Sequence, residues 1–170
     1  MSIELREQSV NDDNDVYDML HEIPRDENGF INGCNGRDLE SYKKWLIKSA
    51  NISKGIGLED WMVPQTIYWL YIDGIPVGYG KLRHYLTDKL REEGGHIGYA
   101  IRPSCRNKGY GKLLLKLIVE KANEMGIEKV LVTVMNHNEY SIRVALANGG
   151  IIEKVTDQRH IIWIECTPGL

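Results

Sequence analysis

The sequence predicts a mixed α/β domain built as one layered unit. Three observations carry this. Segments rich in alternating or β-branched residues recur along the chain, for example 65–72 and 130–135. Between them lie segments whose apolar residues repeat at helical spacing, most clearly 108–125. The composition is that of a globular chain: 170 residues, 42% hydrophobic and 26% charged.

Taken in order, residues 2–8 alternate and read as a short strand. Asn11 to His21 reads as a helix with Val16, Met19 and Leu20 on one face. Residues 23–36 hold Pro24, Gly29, Gly33 and Gly36 and read as a loop. Arg37 to Ala50 is a helix whose apolar side carries Leu39, Tyr42, Leu46 and Ile47. Residues 51–64 are irregular and end at Pro64. Gln65–Ile72 and Val77–Tyr85 are strands joined by a tight turn at Asp73-Gly74. A helical turn around Leu86, Lys89 and Leu90 follows, and then the strand His96–Ile101, stopped by Pro103. In Lys108–Met125, Leu113, Leu114, Leu117, Ile118, Ala122 and Met125 form a stripe, and Gly126 is a C-terminal stop. Val130–Met135 is a buried strand, Glu139–Asn148 a helix closed by Gly149-Gly150, and Ile151–Val155 and His160–Glu165 two final strands. No repeat or linker divides the chain, so residues 1–170 are read as one domain.

The net charge of −3 argues against nucleic-acid binding. No apolar run is long enough to span a membrane, and the N-terminus lacks the basic-then-apolar pattern of a signal peptide. Cys34, Cys105 and Cys166 are too few and too scattered for a disulfide framework or a zinc site. These observations predict a cytoplasmic protein with no metal, no nucleic-acid partner and no membrane partner.

Charge is unevenly distributed. Residues 1–40 carry 11 acids and 3 bases, whereas 102–121 carry six bases and one acid. The basic stretch follows a strand and opens a helix: Arg106-Asn107-Lys108-Gly109-Tyr110-Gly111-Lys112. Glycines allow a tight turn and a close ligand approach. The free N–H groups of the helix start attract phosphate. A P-loop would need Ser or Thr where Leu113 stands, and a dinucleotide fingerprint would need glycine at Leu114. The stretch therefore reads as a phosphate or pyrophosphate cradle of another kind.

Residues 106–111 match the Arg/Gln-x-x-Gly-x-Gly/Ala signature of the GNAT acyltransferases, an N-acetyltransferase family, and the chain resembles that family. The resemblance continues in Ile101-x-Pro103, in Asn138-x-x-Ser141 and in Asn148-Gly149-Gly150. Residues 94–111 look most like a bacterial subgroup of it. The resemblance implies a mostly antiparallel sheet with helices on both faces, splayed between the fourth strand (96–101) and the fifth (130–135). Acetyl-CoA is the implied cosubstrate. By carry-over, Ile101 supplies main-chain groups to the pantetheine arm, and Arg106, Asn107, Lys108, Gly109, Tyr110, Gly111 and Lys112 supply amides to the pyrophosphate. Asn138 and Ser141 lie beside the arm.

The implied reaction is transfer of acetyl to a primary amine by direct attack in a ternary complex. A small-molecule acceptor comes first, and a protein N-terminus or lysine second. A CoA-binding sensor without turnover is the rival reading, because the family's thiol-protonating tyrosine falls at Ala145. Substitutes are Tyr99, which shares parity with Ile97 and Ile101, Tyr140 and His137, which flank Asn138, and His96. The acidic first segment (Asp12, Asp13, Asp15, Asp18, Glu22, Asp26 and Glu27), placed on the acceptor wall, implies a cationic amine. The strands at 151–165 form a sheet edge where a second copy could pair, giving a homodimer.

Overall fold

The computed structural model describes residues 1–167. Nine strands and five α-helices follow one another as β1 (Ile3–Glu7), α1 (Asn14–Glu22), β2 (Asp26–Glu27), β3 (Phe30–Ile31), α2 (Leu39–Ser53), β4 (Gln65–Ile72), β5 (Ile75–Arg83), α3 (Asp88–Glu92), β6 (Ile97–Ile101), α4 (Tyr110–Glu124), β7 (Lys129–Met135), α5 (Glu139–Ala147), β8 (Ile151–Val155) and β9 (Arg159–Glu165). A short 3-10 turn, Pro103–Cys105, precedes α4. No helix among the described residues is long and apolar enough to cross a membrane.

The strands form two larger antiparallel sheets, β1-β4-β5-β6 and β7-β9-β8. Apolar side chains cover both faces of the first. On one face Val16, Met19 and Leu20 of α1 and Tyr42 and Leu46 of α2 pack on Trp69, Tyr71 and Tyr79. On the other, Leu114, Leu115 and Ile118 of α4 pack on Leu70, Val77 and Leu82. Helix α4 lies close because β5 presents Gly80, where a Cβ would stand 2.2 Å from the Ile118 side chain.

The sequence reading places most elements within a few residues, with three corrections. The expected loop 23–36 contains the β2–β3 hairpin. Its turn is Asn28-Gly29, both at positive φ (53° and 84°), the two-residue turn that suits strand twist. In α2, which runs on to Ser53, the buried side is Tyr42, Leu46, Ser49 and Ile52, while Leu39 and Ile47 are exposed. Met125, assigned to the α4 stripe, follows the last turn and is exposed.

Candidate active site

The two sheets meet along β6 and β7 at one end only. Gly95, at φ +59°, turns the His96 N–H across the junction to the Leu131 carbonyl (2.8 Å), and the Leu131 N–H donates back to His96 Nδ1 (2.9 Å). Beyond this point the strands separate. The Arg83 N–H donates to the His96 carbonyl (2.7 Å) and the Arg102 N–H to the Val77 carbonyl (2.8 Å). Even-numbered residues of β6 therefore bond to β5, and Ile97, Tyr99 and Ile101 turn their backbone groups to the gap. The Asn136 N–H to Gln158 carbonyl bond (2.9 Å) does the same for β7, leaving Thr133 facing the gap from the far side.

A cavity of about 720 Å³ occupies this separation, lined from one side by residues 97–101 and from the other by residues 132–135. Of the proposed cosubstrate residues, Ile101, Arg106, Asn107, Asn138 and Ser141 line it, whereas Lys108, Gly109, Tyr110, Gly111 and Lys112 do not. Those five lead into α4 and form its N-cap and first turn. No side chain caps that helix, whose N-cap is Gly109 at φ +80° with open space where a Cβ would be. Gly109 is thus favoured by backbone conformation, and Gly111 lets the exposed Tyr140 ring lie close, since a Cβ there would stand 2.7 Å from the Tyr140 hydroxyl. Arg106 departs from the expectation. Its amide donates to Pro103, and its guanidinium bonds Glu27 on β2 and the Ile101 carbonyl (3.0 Å). Asn138 caps α5, its Oδ1 accepting from the Ser141 N–H (3.3 Å).

Two of the four catalytic candidates come together. Tyr99 and Tyr140 both line the cavity beside Ser141. The Tyr99 hydroxyl is buried and makes no hydrogen bond among the described residues. Burial pushes the phenol up to about 12, with nearby Ser141 opposing the rise and Tyr140 adding to it. His96 is a correction. It does not line the cavity, and its ring nitrogen is spent on Leu131. Burial, then the charges of Arg91 and Arg83, hold the imidazole at about 4, so it is a neutral fastener between the sheets. His137 bonds Asn28 at the surface, and Ala145 is buried in the core.

The acidic first segment does not wall the cavity: of its seven acids only Glu27 reaches it, paired with Arg106. Asp12 accepts from the Trp69 indole (2.8 Å), Asp13 caps α1, and Glu22 holds Arg102 and the Ser104 N–H. Sequence reading missed Lys81 and Arg83, which line the cavity from β5. Their signal was two bases in alternate positions of an otherwise apolar strand.

A family model described as acetyltransferase (GNAT) family matches residues 20–149. No curated protein sequence matches the chain. Among solved structures, the chain is similar to a GNAT-family acetyltransferase of Streptococcus pneumoniae (16% identity, 96% of this chain and 99% of that one, TM-score 0.66). It is similar to the Campylobacter jejuni N-acetyltransferase PseH in complex with acetyl-CoA (13%, 98% and 100%, 0.65). A third is a chimera of the Vibrio cholerae spermidine N-acetyltransferase SpeG and hSSAT (12%, 98% and 96%, 0.66).

Proposed function

The chain belongs to the GNAT acetyltransferase family, and on that premise we propose that it transfers acetyl from acetyl-CoA to a primary amine of a small molecule, by direct attack in a ternary complex. The observation that carries this is the pair of facing strand edges. The N–H and C=O groups of Tyr99 and Thr133 look into one cavity, and an amide-bearing arm can add there as a strand would. The uncapped start of α4 supports the same fit, because its first-turn amides suit a pyrophosphate.

Acetyl-CoA would supply an acetyl group activated as a thioester. Ile101, Asn138 and Ser141 would orient the arm, and Gly109 to Lys112 would hold the phosphates. The N–H groups of the β6 edge are placed to donate to a carbonyl oxygen as negative charge grows on it. The Tyr99 Oη keeps its proton throughout the neutral range, and its lack of a partner leaves it free to donate to a departing thiolate. Tyr140 is the second donor in reach of that space. We assign this pair the role of the tyrosine absent at position 145, which weighs against a sensor without turnover.

Calorimetry tests the reading directly. Acetyl-CoA should bind wild type in the micromolar range and bind Gly109→Trp far more weakly, with ATP and NAD not binding. Release of CoA in the presence of a primary amine should then report turnover. An intact fold that does not bind acetyl-CoA would overturn the assignment.

A further inference from the structure

The half of the cavity that faces α1 and α2 is basic. Lys81 and Arg83 stand two residues apart on β5, hence on one face and about 7 Å from each other. Both line the cavity, and neither forms an ion pair among the described residues. The Lys81 ammonium donates to the Ile31 carbonyl (2.6 Å) and lies over the rings of Phe30 (4.7 Å) and Tyr79 (5.4 Å). Arg83 Nη1 donates to the carbonyls of Gly94 (3.2 Å) and Gly95 (3.3 Å), while its Nε and Nη2 have no hydrogen-bond partner among the described residues. Lys89 and Arg159 add positive charge, and the two carboxylates that line the cavity among the described residues, Glu93 and Glu27, are paired with Arg159 and Arg106.

Both side chains are half-buried, and partly desolvated charges without counter-ions are costly to hold side by side. Burial, and then the charge of Arg83, brings Lys81 down to about 7, and burial lowers Arg83 as well. An anion between them would remove that penalty. The pair faces the side of β6 that carries Gly98, which is paired with Lys81 and packed beside Phe30. Tyr99 points to the opposite side, toward α4. The anion site and the thioester-holding half thus lie on opposite sides of one strand, joined by one cavity.

The geometry points to an acceptor amine that also carries an anionic group, a carboxylate or a phosphate, which Lys81 and Arg83 hold. This rests on the acetyltransferase reading and narrows its substrate class. It also replaces the cationic acceptor that the acidic first segment suggested.

The test compares amines that differ in one group: 5-aminovalerate against pentylamine and cadaverine, and phosphoethanolamine against ethanolamine, each with saturating acetyl-CoA. The anionic member should lead its series in kcat/KM by about 30-fold or more, and the carboxylate and phosphate arms identify which anion is preferred. In Lys81→Met and Arg83→Gln that lead should collapse through KM, with the acetyl-CoA Kd unchanged. Melting temperature supplies a readout independent of turnover. Inorganic phosphate or 5-aminovalerate should stabilise wild type but not the double variant, and Lys81→Met without ligand should melt no lower than wild type. A lead for cadaverine, or equal stabilisation of wild type and double variant, would overturn the inference. Loss of acetyl-CoA binding with anion stabilisation intact would instead count against the acetyltransferase reading.

Discussion

The junction at His96 makes stability depend on pH in a way that one substitution should abolish. The folded protein holds this imidazole neutral at about 4, against 6.5 for the free side chain. The unfolded chain therefore binds more protons between these values. Stability is complete above about pH 6.5, falls as pH drops through the window, and reaches its floor below about 4. A shift of this size corresponds to about 3 kcal/mol in full, of which about 2 kcal/mol is lost by pH 5. His96→Ala also strands the Leu131 N–H, at about 1–3 kcal/mol, and leaves a small void. At pH 7.5 the variant should be less stable than wild type by about 3 kcal/mol. By pH 5 the difference should shrink to about 1 kcal/mol, because the wild type alone pays the protonation cost. Urea unfolding at both pH values, with the ring titration followed by NMR in wild type, measures each quantity. Parallel losses in the two proteins, or a His96 ring titrating near 6.5, would refute the reasoning.

Other consequences follow from the same geometry. Tyr99→Phe removes a buried hydroxyl with no partner, so it should raise stability by about 1 kcal/mol while lowering kcat by ~10²-fold or more; a loss of stability would show the hydroxyl to be satisfied. Gly95→Ala places a Cβ 2.5 Å from the Leu131 carbonyl oxygen at φ +59°, and should cost about 2 kcal/mol or more in urea unfolding. Gly98→Leu fills the space before Phe30, so it should raise the acceptor KM about tenfold or more with the acetyl-CoA Kd unchanged by calorimetry. β8 is an exposed edge carrying Ile151, Ile152 and Val155. If it pairs with a second copy, sedimentation should give a dimer for wild type and a monomer for Ile151→Lys.

What was legible in the sequence divides along physical lines. The long, periodic elements β4 and α4 were readable because burial on one or both faces imposes a pattern over many residues. The start of α4 was readable because its glycines serve a local backbone need. The β2–β3 hairpin was not, since two-residue strands carry no alternation, although Asn28-Gly29 is itself a strong turn signal. The acidic segment misled for a different reason. Charge along a chain does not say where each carboxylate is used, and Asp12, Asp13 and Glu22 are consumed in fastening α1 to its neighbours. The basic pair on β5 escaped notice because a Lys and an Arg in a strand ordinarily mark an exposed face. The β2–β3 hairpin brings the Phe30 ring and the Ile31 carbonyl against Lys81 and leaves it half-buried.

The way the sheets are fastened accounts for why a cavity exists at all. Backbone groups on a buried strand edge must find partners, and two facing edges at this spacing would ordinarily close into one sheet. Here Gly95 redirects a single N–H across the junction, and His96 supplies the second bond from its side chain. That pairing fixes one end and sets the strands diverging from it, so the groups at Tyr99 and Thr133 cannot reach each other. The cost of leaving them without a protein partner falls on the state without ligand. A ligand bearing its own amides removes that cost, so its affinity and its order along the gap come from the same unpaired groups that make the free protein less stable. Substitutions that loosen the junction should therefore weaken acetyl-CoA binding without touching a residue of the cavity, and His96→Ala provides that test alongside its effect on unfolding.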